Sequence, residues 1–172
     1  MGMDVMGNNA TSERGSYFRN NVWWWHPLAG LITQQYSDIA DKCEHWHSND
    51  GDGLNADDSY KLAQLLQTDI DSGALANYET DYRNKMASLP RTDCTICDAT
   101  GIRTDELGVR EGFTTKELST ENQILTGRIL GWCNGCDGAG TCESFEGNYG
   151  FSVENVQEFV EFLRECGGFS IH

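Results

Sequence analysis

Proline and positive charge are what this chain has least of. Its 172 residues include 2 Pro, and 12 Lys and Arg stand against 27 Asp and Glu, for a formal net charge of -15. So little proline, beside 10% aromatics, argues against wholesale disorder. Long apolar runs are missing too. No stretch approaches the ~20 apolar residues a helix needs to span a bilayer, so no membrane partner is expected. The cations are scattered singly, and without a basic stripe to neutralise a phosphate backbone, long nucleic acid is not an expected partner. A small anion held by a few local donors stays open. The acidity is not a tail, because 6 basic and 13 acidic residues precede Pro90 while 6 and 14 follow it.

The first residues have neither an apolar signal-peptide core nor a Ser or Thr at the myristoylation position. A cytoplasmic location is the resulting expectation, and there 7 Cys read as metal ligands or free thiols rather than disulfides.

The hydrophobic share, 38%, is enough to bury a core within one domain or a domain with a small satellite. Apolar residues recurring at three- and four-residue steps predict a helix over about Pro27 to Trp46, with Pro27 in its first turn. Asn55, followed by Asp57 and Asp58, reads as the cap of a second helix running to about Asp71, with Leu62, Leu65, Leu66 and Ile70 as its stripe. A third spans about Leu75 to Ser88, ending before Pro90. Ser152 caps a fourth, in which Val156, Phe159, Val160 and Leu163 face inward and Gly167-Gly168 stops the helix, with Phe169 and Ile171 as a terminal apolar hook. The expected fold is therefore mainly α, a four-helix core with an inserted Gly-rich four-cysteine zinc-knuckle subdomain. The expected divisions are a polar leader over 1–21, a helical core over 22–90, the knuckle insert over 91–150, and a helix over 151–172 packing back on the core.

The insert carries the strongest signal. Cys94-Thr95-Ile96-Cys97 and Cys133-Asn134-Gly135-Cys136 are two C-x-x-C knuckles, each followed by a Gly-containing turn. Two residues between thiolates let both sulfurs reach one ion, and two such knuckles supply the four soft ligands of a closed structural zinc site. A redox dithiol is the competing reading, although a redox C-x-x-C normally stands alone. Cys142 lies near enough to compete as a ligand, while Cys43 and Cys166 read as buried apolar fillers.

The paired knuckles resemble the cysteine-rich zinc domain of DnaJ-type co-chaperones, whose repeat is C-x-x-C-x-G-x-G. The resemblance covers Cys94 to Gly140; the second copy matches fully and the first has Ala99 in place of the first Gly. Two copies rather than the family's four imply one zinc, and His26-Pro27-Leu28 lacks the aspartate of the co-chaperone's His-Pro-Asp signature. More widely, the Trp run before Pro27-Leu28, Ser48-Asn49-Asp50-Gly51, the knuckles and the stretch from Val156-Gln157-Glu158-Phe159 to Gly167-Gly168-Phe169 look like uncharacterised bacterial and phage proteins.

Trp23, Trp24 and Trp25 cannot all face one core, because successive side chains diverge around a helix. Two core indoles and one capping indole form one reading. In the other, an indole is a stacking platform, with Arg19, Asn20 or His26 supplying polar contacts. The turn His45-Trp46-His47-Ser48-Asn49-Asp50-Gly51-Asp52 also admits several roles. It suits Asx hydrogen bonding, or a ligand site using His47, Asn49 and Asp50. A second metal with open positions would make a hydrolase. A calcium loop starting at Ser48 would put Ser59 where a bidentate Glu is required. The leading expectation is a non-enzymatic, zinc-containing binding protein with an aromatic pocket for a small, nucleotide-derived ligand, such as a phage protein sequestering a host signal. A protein-protein adaptor and a metal-dependent hydrolase at the His45–Asp52 turn are the alternatives.

Overall fold

The computed structural model describes residues 2–172. About 47% of the chain is helical, and with one small three-stranded sheet the fold is mainly α. The chain divides into two compact units, one formed by the chain up to Ala87 together with Asn148–His172 and the other by Ser88–Gly147.

The first unit opens with β1 (Gly2–Gly7), the short helix α1 (Glu13–Ser16) and β2 (Tyr17–Asn21). The stretch that reads as a polar leader is thus an antiparallel pair, in which Val5 faces Phe18 and Asp4 faces Arg19. Alternation drives it: Met3, Val5 and Phe18 turn into the core while their neighbours face outward. Three buried side chains are too few to stand out amid so many polar ones. The expected terminal hook is a third strand, β5 (Phe169–Ile171), which pairs with β1 and completes the order β2-β1-β5.

The first long helix departs from expectation. It is α2, Val22–Gln35, followed by the short α3, Ser37–Ala40, with no helix over 41–46. Asn21 starts it early, because its side-chain oxygen accepts from the N–H groups of Trp23 and Trp24 at 3.0 and 3.2 Å. Pro27 consequently lies inside the helix, where it cannot donate to the Trp23 carbonyl. Gly150 donates to that carbonyl instead, at 3.1 Å, so the acceptor that Pro27 orphans is met.

Helix α4 (Ala56–Asp71) is capped by Asn55, as expected, and α5 (Ala74–Ala87) follows after Gly73. The last helix of the chain, α8 (Val153–Glu165), is capped by Ser152 and buries Val156, Phe159, Val160, Phe162 and Leu163. Trp25, Leu28, Leu31 and Ile32 from α2, with Leu62, Ala63 and Leu66 from α4, close the same core. Cys43 and Cys166 are buried within it, and burial pushes the Cys43 thiol up to about 12, so these two sulfurs act as apolar fillers.

The unit Ser88–Gly147 is built differently. Its elements are β3 (Thr92–Asp93), α6 (Glu106–Arg110), α7 (Thr120–Thr126) and β4 (Thr141–Cys142), with β3 and β4 antiparallel. Among its described residues the buried apolar side chains are the four knuckle cysteines and Leu118. An apolar core that small cannot hold some sixty residues.

Candidate metal centre and aromatic face

Cys94, Cys97, Cys133 and Cys136 are buried together, with their sulfurs all within 4.8 Å of one another. Cys94 Sγ lies 4.0 Å from Cys133 Sγ, and Cys97 Sγ lies 3.8 Å from Cys136 Sγ. A tetrahedron of sulfurs at the zinc–thiolate distance of ~2.3 Å has an edge of about 3.8 Å, so the pocket between them fits one ion of that kind. The four cysteines could hold a metal ion.

The two knuckles repeat each other in backbone as well as sequence. Asp98 and Ala99 have φ of 48° and 61°, and their counterparts Asp137 and Gly138 have 52° and 84°. That left-handed pair turns the following N–H groups back onto sulfur. Gly101 N–H donates to Cys97 Sγ and Gly140 N–H to Cys136 Sγ, both at 3.2 Å, while Gly135 N–H approaches Cys133 Sγ at 3.4 Å. Burial alone raises a thiol, yet the Ile96 N–H and adjoining thiols directed at Cys94 bring it down to about 7. At Cys97 and Cys136 burial prevails, raising the first thiol and pushing the second up to about 12 despite the Gly101 and Gly140 N–H groups.

Polar brackets outside the sulfurs hold the knuckles, and sequence reasoning missed them. Arg103 forms a fork with Asp105 and donates to the Asn134 side chain at 2.8 Å, reaching the second knuckle. Arg128 donates to the Gly138 and Gly131 carbonyls at 2.7 and 3.1 Å. Lys116 sits 3.2 Å above the Trp132 ring, whose Nε1 donates to Asp137 at 2.6 Å. Only the x positions of the motif, Asn134 and Asp137, hinted at these partners.

In the other unit the tryptophan run divides by environment. Trp25 is 0% exposed, its Nε1 donates to the Trp46 carbonyl at 2.6 Å, and its ring meets Phe159 edge-on. It is a core residue and not the wall of a pocket, because α2 turns it straight into the helical interior. Trp24 is 38% exposed, with its ring beside Gly150. Trp23 is half-buried and packs on Tyr149 at 5.0 Å. His26 stacks on His47, with ring centroids 4.8 Å apart and planes 11° apart, and meets Tyr149 edge-on at 5.6 Å. Burial, and then the neighbouring His26, lower the His47 pKa below its ordinary 6.5. Tyr149 carried no motif or period that could have singled it out.

The remaining expected pocket residues lie elsewhere or are otherwise engaged. Arg19 stands on β2 with its Nε 3.8 Å from the Asp4 carboxylate. Asn20 is buried, its amide donating to Asn155 at 2.7 Å, which makes it a core polar link rather than a ligand donor. Asn49 is exposed in the turn, and Asp50 accepts from the Ser48 hydroxyl and lies 3.9 Å from His45 Nδ1. Asp52 organises that turn by accepting the N–H groups of Glu44, His45 and Gly53 at 2.5, 3.1 and 2.8 Å. Burial works against its charge, but those N–H groups prevail and hold its carboxyl below the usual range. Gly51 N–H and the Asp52 carbonyl pair with Ile171, both at 2.8 Å, so the turn runs beside β5. Asp52 is thus spent on the turn's own backbone, while Asp50 meets the Ser48 and His45 side chains. Among the described residues the four cysteines form the one group of three or more potential metal ligands that comes together. An open groove of about 560 Å³, lined in part by Thr33, Asp41, Glu44, His45 and His47, lies beside the turn.

No protein family, characterised relative or solved structure matches this chain. Among the described residues no helix is long and apolar enough to cross a membrane.

Proposed function

We propose that the protein is a non-enzymatic binding protein in which one structural zinc, held by Cys94, Cys97, Cys133 and Cys136, serves as the core of Ser88–Gly147, while a face of the helical unit receives a small ring-bearing ligand. The convergence of four buried sulfurs carries the zinc half of the reading. Four thiolates select a soft, tetrahedral ion, and with every position filled by protein such a zinc folds the chain rather than activating water.

The stacked pair His26 and His47, flanked by Tyr149 and Trp23, supports the ligand half. Flat rings with imidazole donors suit a nucleobase, whose faces stack and whose edges hydrogen-bond. Sequestration of a host signalling nucleotide by a phage protein is the setting the sequence resemblance implies. Mass spectrometry of the freshly purified, denatured protein tests for a retained metabolite, and titration with adenosine monophosphate followed by tryptophan fluorescence tests the face directly. Trp23→Ala is expected to weaken binding about 5- to 150-fold, the value of one stacked base of ~1–3 kcal/mol. Neither a metabolite nor any response to the nucleotide would remove this half.

An adaptor role is the second reading, and one observation favours it. Ile124, Leu125, Ile129 and Leu130 are 81%, 65%, 64% and 52% exposed within seven consecutive positions. A run of that kind is unusual on a surface that meets only water.

A further inference from the structure

Helix α7 has its polarity reversed. None of its residues is buried, and what it directs at the rest of its unit is polar. Asn122 donates to the Asp137 carbonyl at 2.7 Å, and Gln123 to the Leu118 carbonyl at 2.9 Å. Its two aliphatic side chains, Ile124 and Leu125, are instead 81% and 65% exposed. A surface helix of a folded domain ordinarily does the opposite, burying an apolar stripe and leaving its amides to water. Packing within the chain therefore does not account for these two residues.

The tip that carries them is firmly held. Ser119 caps α7 by accepting the Asn122 N–H, and Gly127 closes it in the left-handed region. Leu118 N–H then donates to the Ile129 carbonyl and Gly131 N–H to the Lys116 carbonyl, both at 2.9 Å. Leu118 is the aliphatic residue that does turn inward, against Gly138 of the second knuckle. A surface fixed in advance loses little freedom on binding. Charge at the tip is divided as well. Arg128 is spent on the Gly138 and Gly131 carbonyls and Lys116 on the Trp132 ring. Glu121 and Glu117 stay exposed, the latter accepting from the Gln123 amide at 3.3 Å. Glu121 precedes Ile124 and Leu125 by three and four positions, on the same side of the helix. Glu117 pairs with Leu130 across an antiparallel bridge, so both side chains leave the ladder on one face. Each exposed aliphatic group thus has a carboxylate beside it.

We infer that this tip docks a basic amphipathic helix of a partner protein, whose apolar stripe covers Ile124, Leu125 and Leu130 and whose Lys or Arg side chains meet Glu117 and Glu121. The inference rests on the adaptor reading and deepens it by giving the partner's chemistry. Apolar stripes flanked by cations are a recurrent way for a helix to recognise an acidic protein with exposed aliphatic groups. A second copy of this chain fits poorly, because it would bring the same carboxylates and a net charge of -15 against their like. The exposed aliphatic surface, on the order of a few hundred Å², also falls short of the ~800 Å² that each partner of a stable pair buries. An anionic bilayer is repelled by the same acids.

Titration of the full chain against labelled synthetic peptides, read by fluorescence polarisation, tests this. The probes are a Leu/Lys helix of about 18 residues with Leu at three- and four-residue steps, its Leu/Glu counterpart, and a Leu/Lys peptide of the same composition in scrambled order. The scrambled peptide keeps the charge without the stripe, and the Leu/Glu helix keeps the stripe without the charge. The ordered Leu/Lys helix is expected to bind about tenfold or more tighter than either. Ile124→Ser with Leu125→Ser is expected to weaken that binding by about tenfold or more, with the melting curve unchanged because both side chains are exposed. Glu117→Gln with Glu121→Gln is expected to weaken it by about threefold or more, a difference that high salt erases. Should the first pair of changes loosen the tip, Leu130→Ser carries the same expectation. Equal binding of the ordered and scrambled Leu/Lys peptides overturns the proposal, as does binding indifferent to the changes at Ile124, Leu125 and Leu130. A dimer seen by light scattering and dissolved by Ile124→Ser with Leu125→Ser gives the tip to a second copy and also overturns it. If the Leu/Glu helix binds as tightly as the Leu/Lys helix and both are lost in that variant, the adaptor reading stands and the basic partner fails; if no probe binds, the proposal fails and the adaptor reading loses its face with it.

Discussion

Ala99 occupies backbone that the second knuckle gives to glycine. Its φ of 61° matches the 84° of Gly138, and an L residue there places its Cβ against the neighbouring carbonyl at a cost of roughly 1–2 kcal/mol. In the sequence the alanine reads as a departure from the repeat, and nothing in its letter says whether the turn is lost or kept under strain. It is kept, because Cys97 Sγ is reached by the Gly101 N–H only through that turn. Ala99→Gly is expected to raise stability by about 0.5–1 kcal/mol, the relieved strain less the extra freedom glycine gives the unfolded chain, as read from the urea midpoint of the metal-loaded protein. His47 gives a second prediction at this scale. Its folded pKa lies below the ordinary 6.5 because burial and the stacked His26 disfavour the imidazolium, so between the two values the unfolded chain binds the proton that the folded chain does not. The contribution of His47 to stability is full above about pH 6.5 and is lost as the pH falls below it. Thermal melts should therefore fall more steeply from pH 7 to pH 5 in the unmodified protein than in His47→Gln, and parallel profiles would contradict the stacked, neutral imidazole.

Among the elements, α2 shows what periodicity can and cannot convey. The sequence places apolar residues at helical steps after Pro27, and those from Leu28 to Ile32 are buried as expected. The start was illegible because Pro27 normally marks a first turn, and only a distant partner, Gly150, makes its interior position acceptable by satisfying the Trp23 carbonyl. The end was illegible too, since Ile39, Cys43 and Trp46 hold the right period but reach the core from α3 and an irregular segment. Strands β1 and β2 escaped notice because each buries only one or two side chains, and their pairing is legible in space rather than in sequence. Capped helices were the easiest to read, with Asn55 and Ser152 both accepting N–H groups as their positions foretold. The early start of α2 sets different roles for adjacent indoles. Trp25→Ala should cost about 3–5 kcal/mol of stability, as a large core truncation does, whereas Trp24→Ala should cost about 1 kcal/mol or less, both measured by denaturant unfolding of the helical unit. Equal losses would contradict the division of the run.

For the molecule as a whole, the two units are stabilised by different means. The unit completed by Asn148–His172 has an aromatic and aliphatic core drawn from its helices and sheet. Ser88–Gly147 has four cysteines and Leu118, ringed by side chains such as Arg103 and Arg128 that bind its backbone and turns from outside. The cysteine spacing conveyed the centre itself, because C-x-x-C geometry is local to four residues. It could not convey the brackets around it, since Arg103 meets Asn134 and Arg128 meets Gly138 through folds of chain that have no period. The His45–Asp52 turn was legible as a cluster but not in its role, which depends on the backbone N–H groups that Asp52 accepts. Under the proposed function zinc takes the place of an apolar core in Ser88–Gly147, and native mass spectrometry of protein purified without chelator reads this out. One zinc per chain is expected, released in Cys133→Ser. A metal-free chain, or a full equivalent of zinc retained after Cys133→Ser, would contradict it.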